Sequence, residues 1–377
     1  MALPVNFAEF IGNTGTIESL RAAIAVGRLP HSMIIAGPRG AGKYTLALLL
    51  TLALECERQP REMAADGREL AAFCGECRNC TRIVESAELE TKVEEAVAAR
   101  EDMREVDKKE TRVLVQTHPD VLILPPDPPQ LLIKLGQVRT LIGRSQRRPA
   151  EAKAKVFIIT TAAFMKEAAN SLLKVLEEPP DYVHIVILAE NLGELLPTIR
   201  SRCAVVRLGA LPAEDIEALL VSRRPESNKA ERALLARLSE GAVGRAYGFN
   251  LAEYVAARAD AMVMLRNAAQ AGDHTTLFKM TETYRAGAEG QVKTTALLRA
   301  LSSVLEDILL LQGGAVDRVR NVDIRAELQR LAESFDFAWM EAAVRGLDAV
   351  QSGMRRNLLR NVSLDAFAAE LEGARGY

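Results

Sequence analysis

Along roughly the first two hundred residues, short apolar runs alternate with amphipathic stretches. The runs are His31–Ala36 (HSMIIA), Val121–Leu124 (VLIL), Val156–Thr160 (VFIIT), His184–Leu188 (HIVIL) and Ala204–Leu208 (AVVRL). They are largely apolar at successive positions, as in strands covered on both faces. Between them lie stretches that predict helices: residues 17 to 27, Lys43 to about Glu55, a stretch from about Leu135, and Lys166 to Glu177, which stops before Pro179. Strands alternating with helices predict a parallel sheet and an α/β domain. Beyond Gly209 no strand pattern remains. The chain therefore reads as an α/β domain over 1–208, a small helical lid over 209–250 and a C-terminal helical bundle over 251–377, with no repeat of solenoid period.

One stretch departs from this alternation. Glu85 to Arg112 carries ten acidic and six basic residues without Gly or Pro. It predicts a long, exposed helix with a narrow stripe at Leu89, Val93 and Val97, and ion pairs such as Glu88 with Lys92 and Glu105 with Lys109. The sequence assigns this insertion no chemistry.

Composition narrows the class. Of 377 residues, 49% are apolar, 26% charged and 5% aromatic, which describes a helix-rich globular chain of two or three domains. A net charge of -2 argues against a protein that coats nucleic acid by itself, because that binding runs on clustered Lys and Arg. The one noticeable basic run is Arg144, Arg147, Arg148, Lys153 and Lys155. It reads as a solvated loop, or as a face that an assembly could lay along a DNA backbone. The N-terminal MALPVNFAEF lacks the pattern of a signal peptide and no window has membrane-span length, so a cytoplasmic protein with no membrane partner is expected.

Between the first strand and the next helix stands GPRGAGK, Gly37 to Lys43. Glycines at 37, 40 and 42 let backbone N–H groups face a phosphate, the helix N-terminus adds its dipole, and Lys43 supplies a cation. The full pattern then requires Ser or Thr as a Mg²⁺ ligand, and this chain has Tyr44. Thr45 cannot simply take over, since one helical step swings a side chain by about 100°. A nucleotide hydrolase also needs acids at a strand end to hold the metal and orient water, yet Val156–Ile159 runs into Thr160 and Thr161. Hydrolysis of ATP by this chain alone is therefore not expected. Whether ATP or ADP occupies the loop, or the glycines only make a tight turn, stays open.

Cys74, Cys77 and Cys80 lie in CGECRNC, and Cys56 ends the preceding helix. Two successive C-x-x-C steps plus a fourth thiol predict a closed, structural Zn²⁺ site, with a redox pair as the alternative. Cys203 is left over, as a small buried residue or a further ligand.

Taken in order, GRLPHSMIIAGPRGAGK, CGECRNC, HPDVLIL, NSLLKVLEEPP and LLPTIRSRC resemble the clamp-loader family of bacterial DNA polymerase III. The resemblance covers the chain closely to about Leu208. It implies an AAA+ P-loop NTPase-like sheet domain with a zinc module at about 56–80, the helical lid, and a C-terminal collar for oligomerisation. Some subunits of that family hydrolyse ATP and others carry a degraded site, and the missing acids place this chain with the latter. The implied partners are gamma/tau-type and delta-type subunits, with the sliding clamp and primer-template DNA reached through the complex. In the Ser-Arg-Cys motif, here Ser201, Arg202 and Cys203, the resemblance implies that Arg202 faces ATP bound by a neighbouring subunit. Arg245, in EGAVGRA, resembles the lid arginine that touches nucleotide, and could equally stitch lid to base. Asn191 lies near the γ-phosphate-sensing position of the family but reads as a turn residue. Two other readings are a gamma-like ATPase of the same assembly and a stand-alone zinc-stabilised P-loop protein or kinase.

Overall fold

The protein, described by a computed structural model over residues 3–104, 112–270, 275–284, 287–355 and 360–374, divides into two compact units. One comprises residues 1–211 and 242–245, the other 212–241 and 246–377.

The first unit is built on a six-stranded sheet of order β4-β5-β6-β7-β1-β8. Its strands are β1 Ser32–Ala36, β4 Val115–His118, β5 Val121–Leu124, β6 Lys155–Ile159, β7 Val183–Ala189 and β8 Ala204–Arg207. All neighbours pair in parallel except β4, which runs antiparallel to β5 at the edge. The expected parallel sheet is present, with one antiparallel strand added at its edge. The four-residue β4 (VQTH) holds a single apolar residue, and only Val113 and Leu114 separate it from the charged insertion.

The strand alternation shows why successive apolar residues were needed. Met33 and Ile35 of β1, Ile123 of β5, Ile158 of β6 and Val186 and Leu188 of β7 join one core, together with helices Thr14–Ala25 and Lys43–Glu55. Their neighbours Ile34, Leu122, Phe157, Ile185 and Ile187 join the core on the other face, under helices Leu135–Ser145 and Lys166–Glu177. Each strand feeds two apolar layers, which is the situation of a sheet covered on both sides. A second, two-stranded sheet, β2 Arg61–Met63 with β3 Glu69–Ala71, lies between Cys56 and Cys74.

Among the described residues, the charged insertion is not one continuous helix. Its helix spans Leu89–Glu101, preceded by a separate 3-10 turn at Glu85–Ala87. Glu88 breaks the run with φ -87 and ψ 61, so Leu89 and Val93 can settle against the core. Lys92 pairs with Glu95 at 3.0 Å, and the expected Glu105–Lys109 pair lies outside the described residues. Arg100 reaches back from this helix to the fully buried Asp127 at 2.6 Å, and Lys134 meets the same carboxylate at 3.1 Å. The basic run is no single patch, because Lys155 is buried in β6 near Asp120 at 3.8 Å.

The second unit is helical. Its core is formed by helices Leu251–Gln270, Gly287–Gln312, Arg325–Ser334, Phe337–Arg355 and Arg360–Gly373. Trp339 stacks on Phe335 and donates from Nε1 to the Leu371 carbonyl at 2.6 Å. Buried Arg258 donates to Asn321 at 2.9 Å and to Asp323 at 2.7 Å. Among the described residues no helix is long and apolar enough to cross a membrane.

Removing one partner of a buried charge cluster leaves the others uncompensated, at a cost of about 3–5 kcal/mol. Asp127→Ala should therefore lower the stability of the first unit by about that amount. Urea unfolding followed by circular dichroism checks it, and a loss within about 0.5 kcal/mol, the scale of an ordinary surface change, would contradict the role given to Asp127.

Candidate functional site

The phosphate loop leaves β1 at its carboxyl end and enters helix Lys43–Glu55 through Gly42, whose φ of +82 only glycine adopts freely. Gly40, at φ +83, is hemmed in by the chain itself: the Gly244 N–H donates to its carbonyl at 2.9 Å, and a Cβ there would lie 2.6 Å from the Arg245 nitrogen. The backbone at Arg245 is thus brought alongside the loop. Gly37 is equally tight, 2.7 Å from its would-be Cβ to the Leu208 carbonyl.

Lys43 folds over its own loop. Its Nζ donates to the carbonyls of Gly37 at 2.6 Å and Pro38 at 2.9 Å. Burial lowers its pKa, while the carboxylates of Glu190 and Glu194 pull it back up. Neither acid was singled out from the sequence. The signal was available for Glu190, which stands directly after the apolar run of β7. Tyr44 sits at the first turn of the helix, and its hydroxyl donates to the Ser86 carbonyl at 2.6 Å. Burial raises its pKa, so it stays a neutral donor. Thr45 is half-buried beside it. At the end of β6, Thr160 donates its backbone N–H to the Leu124 carbonyl, and the Thr161 hydroxyl accepts from Ala163. Asn191 accepts from the Gly193 N–H at 2.9 Å, a turn role as its sequence suggested.

The four cysteines of the expected module converge. One ligand atom from each of Cys56, Cys74, Cys77 and Cys80 lies within 4.8 Å of the others, in a group that could hold a metal ion. A tetrahedral thiolate site with bonds of about 2.3 Å places its sulfurs about 3.8 Å apart, and Cys56 and Cys74 stand at 3.6 Å. Backbone N–H groups of Gln59 and Cys74 point at the Cys56 sulfur, and that of Cys77 at Cys74, at 3.2 to 3.3 Å. Burial acts to raise the Cys74 pKa, but N–H donors of Glu76 and Cys77 outweigh it and bring it down to about 7. Burial raises the thiols of Cys56 and Cys80. Cys203 stands apart, packed on the opposite face of the sheet, where burial lifts it to about 11.

Arg202 lies at the other end of the sheet from the phosphate loop. β8 pairs with β1 in parallel, Met33 with Ala204 through Ala36 with Arg207. Arg202 precedes that paired segment and Gly37 follows it. At about 3.3 Å per residue the paired rows alone account for about 10 Å, so the arginine cannot serve the loop of its own chain. Its guanidinium meets Glu177 and the turn at Thr198.

Against known proteins, a family model described as DNA polymerase III, delta subunit, matches residues 12–212, and one described as DNA polymerase III, delta subunit, C terminal, matches residues 253–364. The DNA polymerase III subunit delta' of Escherichia coli K12 is 27% identical over 351 residues, covering 91% of this chain and 90% of that one. The subunit tau of the same organism is 29% identical over 245 residues, covering 64% of this chain. The chain spans only 32% of that tau relative's length. A solved gamma subunit-related protein from Thermotoga maritima covers 95% of this chain and 99% of its own at 18% identity, with a TM-score of 0.39.

The sulfur geometry makes a direct prediction. Co²⁺ titrated into metal-free protein should give the visible absorption of a tetrahedral thiolate site at one equivalent per chain. Cys80→Ser should weaken or abolish that signal and Cys203→Ser leave it intact. Equal spectra from both variants would mean that the cluster is not the site.

Proposed function

The chain belongs to the DNA polymerase III delta-subunit family, and on that premise we propose that it works as the delta-prime-type member of a clamp loader, lending Arg202 to a neighbouring subunit's ATP and hydrolysing none itself. The observation that carries the reading is the parallel register of β8 on β1. It sets Arg202 beyond reach of its own phosphate loop, so any nucleotide the residue serves belongs to another chain. An arginine suits that role, because a planar, permanently charged donor can stabilise charge developing on transferred phosphoryl oxygens.

The state of the chain's own loop supports the silent half of the proposal. A hydrolysing site needs a hydroxyl on Mg²⁺ and an acid near the attacking water. Here the hydroxyl of Tyr44 is spent on Ser86, and Thr160 and Thr161 carry no charge. If ATP or ADP enters, Gly37, Gly40, Gly42 and Lys43 would hold its phosphates, with Thr45 and Arg245 nearby. The Lys43 bonds to Gly37 and Pro38 would have to yield first.

Zn²⁺ is the ion that the four sulfurs suit. With all four positions taken by thiolate it would supply no open site and act as a structural clip between the helix ending at Glu55 and the segment 74–80. The proposed partners are gamma/tau-type and delta-type subunits, and through them the clamp and primed DNA. A gamma-like motor would need a magnesium ligand that this loop lacks, and a free-standing kinase would leave Arg202 with no nucleotide to meet.

The test is reconstitution with a gamma-type ATPase and a delta-type subunit. The isolated chain should turn over ATP at background, unchanged by Lys43→Ala. In the complex, Arg202→Ala should assemble normally yet cut the site it serves by roughly a thousandfold, the scale of an arginine finger, while Arg200→Ala stays near wild type. Turnover in the isolated chain that vanishes with Lys43→Ala, or equal losses from both arginine variants, would overturn the proposal.

A further inference from the structure

Arg202 is held by its own chain through every nitrogen of its guanidinium. Nε donates to Glu177 Oε1 at 2.7 Å, and Nη2 meets the same oxygen. Nη1 donates to the Thr198 carbonyl at 2.8 Å and to the Ser201 hydroxyl at 3.3 Å. A guanidinium has five N–H groups in a fixed fork, and four of them are committed here. The fork that would receive two phosphoryl oxygens is filled by a carboxylate oxygen on one edge and a carbonyl on the other.

We propose that Glu177 is a positioning residue that holds Arg202 withdrawn, so that the guanidinium reaches a neighbouring subunit's nucleotide only when this ion pair opens. The inference rests on the reading of Arg202 as acting in trans. Glu177 is the last residue of helix Lys166–Glu177, and Arg202 stands between the short helix Pro197–Arg200 and β8. The pair therefore joins two segments at the amino edge of the sheet, 25 residues apart in sequence.

Exposure sets how firm the hold is. The side chains are 31% and 48% exposed, so solvent screens the attraction and the pair adds little to fold stability. It is firm enough, however, to bias a side chain between two positions. If the reaching position is populated only in part, activity at the served site falls to that same fraction of its full value, and a pair of this exposure permits a factor of up to about five. A triphosphate brings several anionic oxygens to compete for the same donors, so ATP in the neighbour is itself the natural force that opens the pair.

The experiment compares Glu177→Gln, Glu177→Ala, Arg202→Ala and the double variant Glu177→Gln with Arg202→Ala. Each is assembled with a gamma-type ATPase and a delta-type subunit, the other ATPase sites being disabled. Turnover is measured without clamp or DNA. Both Glu177 variants should raise it, by up to about fivefold, with the alanine guarding against a neutral hydrogen bond from the amide. The double variant should match Arg202→Ala, since the effect passes through the arginine. Raising the salt should shrink the gap between wild type and Glu177→Gln, because salt screens the wild-type pair. If Arg202→Ala lowers turnover while both Glu177 variants equal or fall below wild type, the withdrawn position is refuted and the role of Arg202 in trans survives. If Arg202→Ala has no effect, the role in trans fails, and this inference with it.

Discussion

β1 lies between β7 and β8, paired in parallel with both, and that arrangement decides which chemistry stands at which end of the sheet. Parallel strands put all their carboxyl ends on one edge. The phosphate loop after β1, the threonines after β6 and Glu190 after β7 are therefore neighbours by topology. The residues before β7 and β8, including Glu177 and Arg202, are on the opposite edge for the same reason. Nothing about the arginine's own chemistry forbids it from serving its own loop. The strand register does.

The double burial of the strands made this part of the fold readable. A run such as VHIVILA in β7 has every residue buried, and no other environment tolerates such a run between turns so well. Boundaries fell within a residue or two of the observed strands, and helix Lys166–Glu177 ended where Pro179 required. β4 escaped because only its end residues Val115 and His118 are buried and its partner runs the other way. The β2–β3 hairpin escaped because its strands are short and charged, although Asp66-Gly67 between them is a turn signal of the kind that joins hairpins. The motifs announced the cysteine cluster and the phosphate loop. They could not announce the partner of Arg202, since a contact between residues 25 apart depends on how a helix returns to the sheet.

The cysteine module is tied into this frame by buried polar groups whose roles only the fold reveals. Arg21 donates to the Ala71 carbonyl at 2.9 Å, pairs with Glu62 and lies 4.5 Å over the Phe7 ring, fastening the hairpin to helix Thr14–Ala25. Asn79 donates to the Glu55 carbonyl at 2.9 Å and its oxygen meets His118 Nε2 at 3.1 Å, so the helix Arg78–Val84 that carries Cys80 is joined to the end of β4. The Glu55 carboxylate accepts from Lys153 and Ala154, and burial lifts its pKa to about 8. His118 and Asp120 are structural anchors: His118 meets Asn79, and the Asp120 carboxylate accepts the N–H groups of residues 150 to 152.

The proposal that Arg202 reaches nucleotide from the amino edge of this chain's sheet, in another subunit's site, is the central one. It can be read directly by labelling the reconstituted complex with an ATP analogue that carries a photoreactive group on the γ-phosphate, followed by digestion and mass spectrometry of this chain. Label is expected in the peptide that contains Thr198 to Arg202, and should be lost when the neighbouring ATPase can no longer bind nucleotide. Label confined to Gly37–Tyr44 would contradict the claim.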